Sequence, residues 1–490
     1  MKKCRKGLCI AFSGILLLVA ILLVRTFMFV PKYETKATSL ERQNAQIDED
    51  KAISDLSEAI KYKTVYDYDN SKVDTNAFLQ MHSFIDKSFP NLTRSLEKQV
   101  INKYSLLYKW QGQEDDDAIV LMAHMDVVGG ETGSESDWDY PMFSGQVTDD
   151  YIYGRGTLDI KGQLIGILES IDQLVKEGYV PKKTIYIAIG HDEELGGNEG
   201  NKVIAEKLKE QGVKVDMVLD EGGYIVKGVV PKVDLPVALV GIEEKGYVSL
   251  KLTAQGKGGH SSMPDKEMAI NDIASALDKL KDSPFDAKID GPTKEFLNNV
   301  EPKMPFISRL AISNQWLFKP IILNMLSNSP SSNAIIRTTI APTIISGGVK
   351  DNVIPQTCEA IINFRIFPGE TVDSVREKVE EYLKNENVKV DIVGSSWNPS
   401  KASNSNSDEY KEVEQVVNTI FPDTLVSPYL VVGCTDSRYY QNICDEIFRF
   451  TPVVLEKEDL NRLHGVNERI SKKGYIDMIQ YYYQLVKGLK

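Results

Sequence analysis

Five histidines occur in the chain, His82, His124, His191, His260 and His464, and four of them lie in glycine-rich or acid-rich segments. Asp126, Asp159, the adjacent pair Glu193 and Glu194, and Asp220 are distributed among them. Imidazole and carboxylate together are the ligand types of zinc and similar divalent ions. Two such ions sharing a carboxylate can activate a water for hydrolysis. The separations along the chain are long, so spacing alone is weak evidence for a site. More telling is where each residue falls relative to the elements that must position it.

Residues 118–123 read as a buried strand that ends at His124, and 184–189 as a strand running into His191-Asp-Glu-Glu194. Residues 215–219 form a third strand, ending at Asp220. Helical periodicity covers 41–62, 77–89, 162–177 and 201–211. Strands alternating with helices predict an α/β layer. Ligand sites of open α/β sheets lie just outside the carboxyl ends of the strands. Polar side chains serving only solubility would be scattered, whereas these collect where apolar strands stop.

From about residue 241 the texture changes. Residues 248–254 alternate as a half-exposed antiparallel strand does. Further strands at 357–365 and 388–393 and helices at 268–280 and 372–383 predict a second, α+β domain over 241–395. Within it, 285–335 reads as an irregular insertion with proline- and asparagine-rich turns. Its apolar residues, among them Phe306, Trp316 and Ile321, could line a lipid-accepting groove, pack a lid core or form a dimer surface. Residues 396–406 read as a linker or active-site loop, and 407–490 return to helix–strand–helix as either a third domain or the completion of the first. A site that needs His464 beside residues of the first part favours completion, so that 51–240 and 396–490 form one domain in two parts.

The N-terminus carries Lys2, Lys3, Arg5 and Lys6, then a run of uncharged residues over 8–24 before Arg25. This pattern predicts a basic cytoplasmic segment and a signal-anchor helix over 1–31, followed by a stalk over 32–50. The catalytic part would then be extracytoplasmic. A cleaved signal, giving a secreted protein, is the competing reading, but residues 25–31 offer no good small-residue cleavage site. Asn91-Leu-Thr93 matches a glycosylation acceptor. A net charge of −13 excludes a general nucleic-acid binder. The five cysteines form no CxxC pair, which excludes disulfide-scaffold, zinc-ribbon and thioredoxin-type chemistry.

Several ordered blocks go further. His124-Met-Asp126, Gly154-Arg-Gly-Thr-Leu-Asp159, Asp192-Glu-Glu-Leu-Gly-Gly197 and Gly258-Gly-His260-Ser-Ser are followed by Asn352-Val-Ile-Pro355, Phe364-Arg365, Thr435-Asp436-Ser-Arg438 and His464-Gly-Val-Asn-Glu468. From about residue 50 onward the chain resembles the M20 metallopeptidases, in particular their carboxypeptidase S-like branch. The resemblance implies a di-zinc hydrolase, with Co2+ or Mn2+ as alternative metals. Its α/β catalytic domain, built on a central mostly parallel sheet, would be interrupted by a smaller α+β lid.

Carried over residue by residue, Asp159 would bridge the two metals. His124 and Asp220 would complete one metal's ligands, and Glu194 and His464 the other's. Glu193 would be the general base and Asp126 the orienter of His124. His260, from the lid, would stabilise the oxyanion, and Asn352 and Arg365 would hold the substrate. In dimeric relatives the lid histidine serves the neighbouring subunit's site, which leaves a homodimer through the lid open.

Each role has a physical basis. Adjacent Glu193 and Glu194 cannot point the same way, so one can meet a metal and the other the attacking water. Asp126 is close enough to His124 to fix an imidazole N–H. His260 follows glycines that allow close approach and hinging. Arg365 offers a rigid fork for a carboxylate. His191 reads as structural, His82 as an ordinary helix residue and Cys434 as packing. The implied activity is zinc-dependent hydrolysis of an amide beside a free amino-acid carboxylate. A peptide carboxypeptidase or dipeptidase comes first and an N-acyl amino acid hydrolase second. A tethered, non-catalytic metal-binding protein is the third reading, disfavoured by the presence of Glu193 and every implied ligand.

Overall fold

The computed structural model describes residues 2–28, 40–67, 69–114, 117–130 and 133–489. The chain forms two compact units. One comprises the N-terminal helix, Glu243–Ala402 and Leu430–Cys434. The other comprises the preceding chain up to Ile242, then Ser403–Tyr429 and the chain from Thr435 onward.

The second unit is built on a ten-stranded sheet. At its centre Ile185–Gly190, Ala118–His124, Val215–Asp220 and Ile447–Arg449 run parallel. Every residue of the first two is buried, as expected for strands covered on both faces. Helices Lys161–Lys176 and Lys472–Gly488 pack against each other. A Cβ at Gly166 would lie 3.1 Å from Met478 Sδ, and Ser170 Oγ donates to Ile479 O at 2.8 Å. These two positions set how closely the helices approach.

The expectation of a mostly parallel sheet needs correction, because the sheet is mixed. Glu97–Ile101 and Ser105–Trp110 form an antiparallel hairpin at one edge, and Val237–Glu244 runs antiparallel to Ile447–Arg449. Residues 105–108 read as a short strand-like patch, but its partner Glu97–Ile101 escapes the sequence reading because the turn uses Asn102 and Lys103 at positive φ (45° and 76°) instead of a glycine.

The first unit holds a four-stranded antiparallel sheet in the order Thr339–Gly347, Thr357–Ile366, Gly246–Gln255, Val388–Trp397. Alternate residues of Gly246–Gln255 and Thr357–Ile366 point inward. Val248, Leu250, Ile362 and Phe364 share a core with Ile273 and Ala276 of helix Ala269–Leu280 and Val375 and Val379 of helix Val372–Tyr382.

The insertion at 285–335 is not irregular. It folds as helices Gly291–Val300, Phe306–Ser313, Gln315–Ser327 and Pro330–Ala334. The prolines that suggested turns mostly open helices. Pro305 is an N-cap, and Pro292 and Pro330 lie in first turns, where a missing N–H costs nothing.

Helix Lys2–Met28 contains one stretch, Ile10–Met28, long and apolar enough to cross a membrane. Of the predicted stalk, residues 32–39 lie outside the described residues, as do the side chains of Lys2 to Lys6. The helix expected at 41–62 starts at Glu49, where Asp48 Oδ1 accepts from Lys51 N at 3.1 Å.

Candidate active site

His124 closes a central strand, and its Nε2 lies 3.2 Å from Asp159 Oδ1 and 3.1 Å from Glu221 Oε1. Asp159 Oδ2 is 2.9 Å from His464 Nε2, which is 3.2 Å from Glu194 Oε2. Two adjoining trios result, His124 with Glu193 and Glu221, and Asp159 with Glu194 and His464. Within each, one ligand atom per residue lies within 4.8 Å of the others. Asp159 touches both histidines and so links the trios.

Asp126 is fully buried beside His124. Its backbone oxygen lies 2.9 Å from His124 Nδ1 and its Oδ1 3.4 Å away. Its Oδ2 accepts from Glu194 N at 3.1 Å, so one residue touches the ring of His124 and the backbone of Glu194.

Asp220 is the one residue of the predicted ligand set that is not brought to the cluster. Its Oδ2 accepts from Ser437 N at 3.0 Å and its Oδ1 from Glu221 N at 2.9 Å. Successive side chains at a strand end point to opposite sides, so Glu221, one residue on, takes the place beside His124. Replacing Glu221 with Ala is expected to lower the bound metal and remove most of the activity. Asp220→Asn should keep the wild-type metal content and lose stability instead. Metal content by elemental analysis separates the two variants.

A buried clamp that the sequence reading left without a role holds the two loops of the second trio. Arg155 Nη1 meets Glu468 Oε2 at 2.5 Å, and Arg155 Nη2 donates to His464 O (3.0 Å) and Gly465 O (3.1 Å). Glu468 Oε1 accepts from the backbone N–H of Gly156, Leu158 and Asp159 at 2.9, 2.8 and 3.3 Å. The turn before Asp159 needs glycine, since Gly156 sits at φ 93° with its missing Cβ 2.9 Å from Val127. Arg155 lies in the block Gly154–Asp159 and Glu468 in the block His464–Glu468, and that placement is the signal the sequence offers.

Charge in the site is crowded. Burial, then Asp159 and Asp220, push Glu221 up to about 8 against the pull of His124. Burial also raises Glu193, and Glu221, Asp436 and Glu194 add to it. Hydrogen bonds to Asp159 and Glu194 raise His464 to about 10. Burial lowers His124, but Glu221, Asp126 and Asp159 outweigh it and hold the ring well above its usual value. Protons are retained between the same atoms that divalent ions would join. Glu194 Oε1 and Asp126 Oδ1 are buried with no hydrogen-bond partner among the described residues. Two imidazoles, a linking carboxylate and further carboxylates fit a binuclear metal site.

The remaining predicted residues lie in the other unit. His260 and Asn352 belong to neighbouring segments, with Ser261 N donating to Asn352 O at 3.2 Å. His260 Nδ1 accepts from Ser262 N at 3.1 Å, which places the ring proton on Nε2 in the neutral form. Arg365 sits 4.9 Å from the Tyr247 ring centroid, and Tyr247 stacks on Trp397 at 4.7 Å. Arg365 Nη1 also lies 2.9 Å from Cys434 Sγ.

His191 is enclosed by Tyr66, Phe78 and Tyr104 and lies 2.6 Å from Ser105 Oγ, a structural setting in which burial lowers it to about 4. His82 is buried with Nε2 2.7 Å from Tyr104 O. Asn91 Nδ2 donates to Asp172 Oδ2 at 2.8 Å, so the predicted glycosylation acceptor is already engaged.

Residues 120–488 match the family model of peptidase family M20/M25/M40. An N-fatty-acyl-amino acid synthase/hydrolase PM20D1 of Xenopus tropicalis is 40% identical over 97% of this chain and 93% of its own length. A probable carboxypeptidase S-like 2 of Dictyostelium discoideum is 36% identical over 97% and 92%. Among solved structures, an M20 family metallo-carboxypeptidase of Sulfolobus solfataricus aligns with a TM-score of 0.67 at 17% identity, covering 90% of this chain and 99% of that one. The fold is thus the M20 pairing of an α/β catalytic unit with a lid. With the two carboxylate–histidine trios at the strand ends, the chain belongs to peptidase family M20/M25/M40 and is a metal-dependent amide-bond hydrolase.

Proposed function

We propose that the protein is a membrane-tethered N-acyl amino acid hydrolase that uses two zinc ions. The observation that carries the choice of substrate is the 40% identity, over nearly the whole chain, to a relative named for fatty-acyl amino acids. The carboxypeptidase reading stands second, supported by the 36% identical carboxypeptidase S-like relative. The helix Ile10–Met28 supplies the tether, and its basic N-terminal flank favours an extracytoplasmic catalytic part.

His124, Asp159 and Glu221 would hold one ion, and Asp159, Glu194 and His464 the other. Bound there, the ions supply Lewis acidity and lower the pKa of water. Glu193 takes the proton of the attacking water and returns it to the leaving amine. His260 presents its Nε2–H to the oxyanion as it develops. Arg365, placed over the Tyr247 ring, and Asn352 bind the free carboxylate of the amino-acid half.

The test uses the full chain in mild detergent, loaded with zinc. Amine release is followed from long-chain acyl amino acids, dipeptides and longer peptides, with a chelated control. Acyl amino acids are expected to show the highest kcat/KM, and chelation to abolish turnover. Turnover confined to peptides would replace this reading with the carboxypeptidase one.

A further inference from the structure

The catalytic reading makes no use of the helical insertion, yet the insertion is fastened to the N-terminal helix. Asn314 joins helices Phe306–Ser313 and Gln315–Ser327 and is fully buried. Its Nδ2 donates to Leu22 O and Thr26 Oγ1, each at 3.2 Å, and to Leu310 O at 2.9 Å. Arg25 Nη2 reaches Ser313 O at 3.4 Å, and the rings of Phe27 and Phe306 are 5.9 Å apart. All of these residues belong to one compact unit.

The level of this contact along the helix matters. Leu22 lies inside the stretch Ile10–Met28, three residues before Arg25. Asn314 also bonds Thr26, one residue beyond Arg25, so the contact lies at the level of Arg25, within the last turns of that stretch. If the helix crosses a bilayer, the junction at Asn314 enters the hydrocarbon edge with it. The amide suits that depth, because both its hydrogens have acceptors, as apolar surroundings demand.

The hairpin's outer surface has the same character. Ile307 is 78% exposed and Trp316 57%, and Phe306, Leu317, Ile321 and Met325 are exposed as well. On helix Gln315–Ser327, the positions 316, 317, 320, 321, 324 and 325 share one half of the helix circumference, and none of them is charged. Five of these six positions are apolar, Asn324 being the exception, and an exposed, largely apolar face of this kind in water marks an interaction surface.

We propose that the hairpin of helices Phe306–Ser313 and Gln315–Ser327 is a second membrane element. It inserts into the leaflet beside the C-terminal end of the anchor helix, and lipid acyl chains cover its exposed face. This rests on the reading of Ile10–Met28 as a membrane span. The occupant follows from continuity, since the face adjoins the last turn of that span through Phe27 and Phe306 and is joined to it at Leu22 and Thr26 through Asn314. The hairpin holds the unit carrying His260 and Arg365 at the bilayer surface, where amphiphiles with an acyl chain and a carboxylate headgroup partition.

The chain has four tryptophans, at 110, 138, 316 and 397, so Trp316 can report on lipid contact. The full chain is reconstituted in phosphatidylcholine vesicles, with and without acyl chains brominated at mid-chain, and tryptophan emission is compared. Brominated lipid is expected to remove part of the wild-type emission and none of that of Trp316→Phe. Ile307→Trp, added to Trp316→Phe, should restore the quenching. Equal quenching in wild type and Trp316→Phe, with none gained from Ile307→Trp, overturns the proposal. So does protection of Trp316 from aqueous iodide that depends on protein concentration and not on lipid, which would assign the face to a second copy of the chain. Flotation with vesicles after alkaline carbonate washing tests the span separately. Protein that floats without Trp316 quenching defeats only this inference, whereas protein that fails to float defeats the tether.

Discussion

Glu193→Gln is expected to lower kcat by about 10²–10⁴-fold, the usual weight of a positioned general base. Metal content should stay at the wild-type level and KM should change little. Gln fills the same volume and keeps a hydrogen-bonding oxygen, but it cannot take the proton of the attacking water. Its neighbour provides the contrast, since Glu194→Gln should lower metal content as well as rate. The two glutamates separate because they open a short 3₁₀ turn, Glu193–Leu195, in which successive side chains are splayed by about 120°. Glu193 therefore falls with His124 and Glu221, and Glu194 with Asp159 and His464. Elemental analysis beside steady-state kinetics decides the matter. A kcat within tenfold of wild type, at full metal content, would move the base elsewhere, with Glu221 the next candidate.

What the sequence carried was the set of polar residues at the ends of apolar strands. His124 and the pair Glu193 and Glu194 fall where the central strands stop, and Asp159 follows a turn whose glycines announce it. Asp220 and Glu221 were not separable in this way. Both are carboxylates at the same strand end, and only the register of the last residues decides which faces His124. Ile160, and not Asp159, occupies the N-cap position of helix Lys161–Lys176. The insertion was misread because proline marks both turns and helix starts, and the residues beyond Pro305 and Pro330 decide between them. The clamp of Arg155 and Glu468 was invisible as a pair because more than three hundred residues separate its halves.

That clamp gives the largest expected effect on stability. Glu468→Ala should cost about 3–5 kcal/mol, because it leaves the guanidinium of Arg155 buried without its counter-charge. The denaturant midpoint measures the loss. In an ordinary buried ion pair, replacing both partners with apolar residues often restores stability. Here it should not, because Glu468 Oε1 also accepts from the backbone N–H of Gly156, Leu158 and Asp159. Each buried donor left without an acceptor costs about 1–3 kcal/mol, so the double variant Arg155→Met, Glu468→Leu stays destabilised. Glu468→Gln keeps an acceptor for those N–H groups and weakens only the pairing with Arg155. It should fold, and it should bind metal or turn over about 10–100-fold less well, the usual effect of losing support behind a metal ligand. The reason is that Arg155 also carries the loop of His464 through the carbonyls of His464 and Gly465. Full recovery of stability in the double variant would reduce the clamp to a simple ion pair. Full metal affinity and activity in Glu468→Gln would detach it from the position of His464.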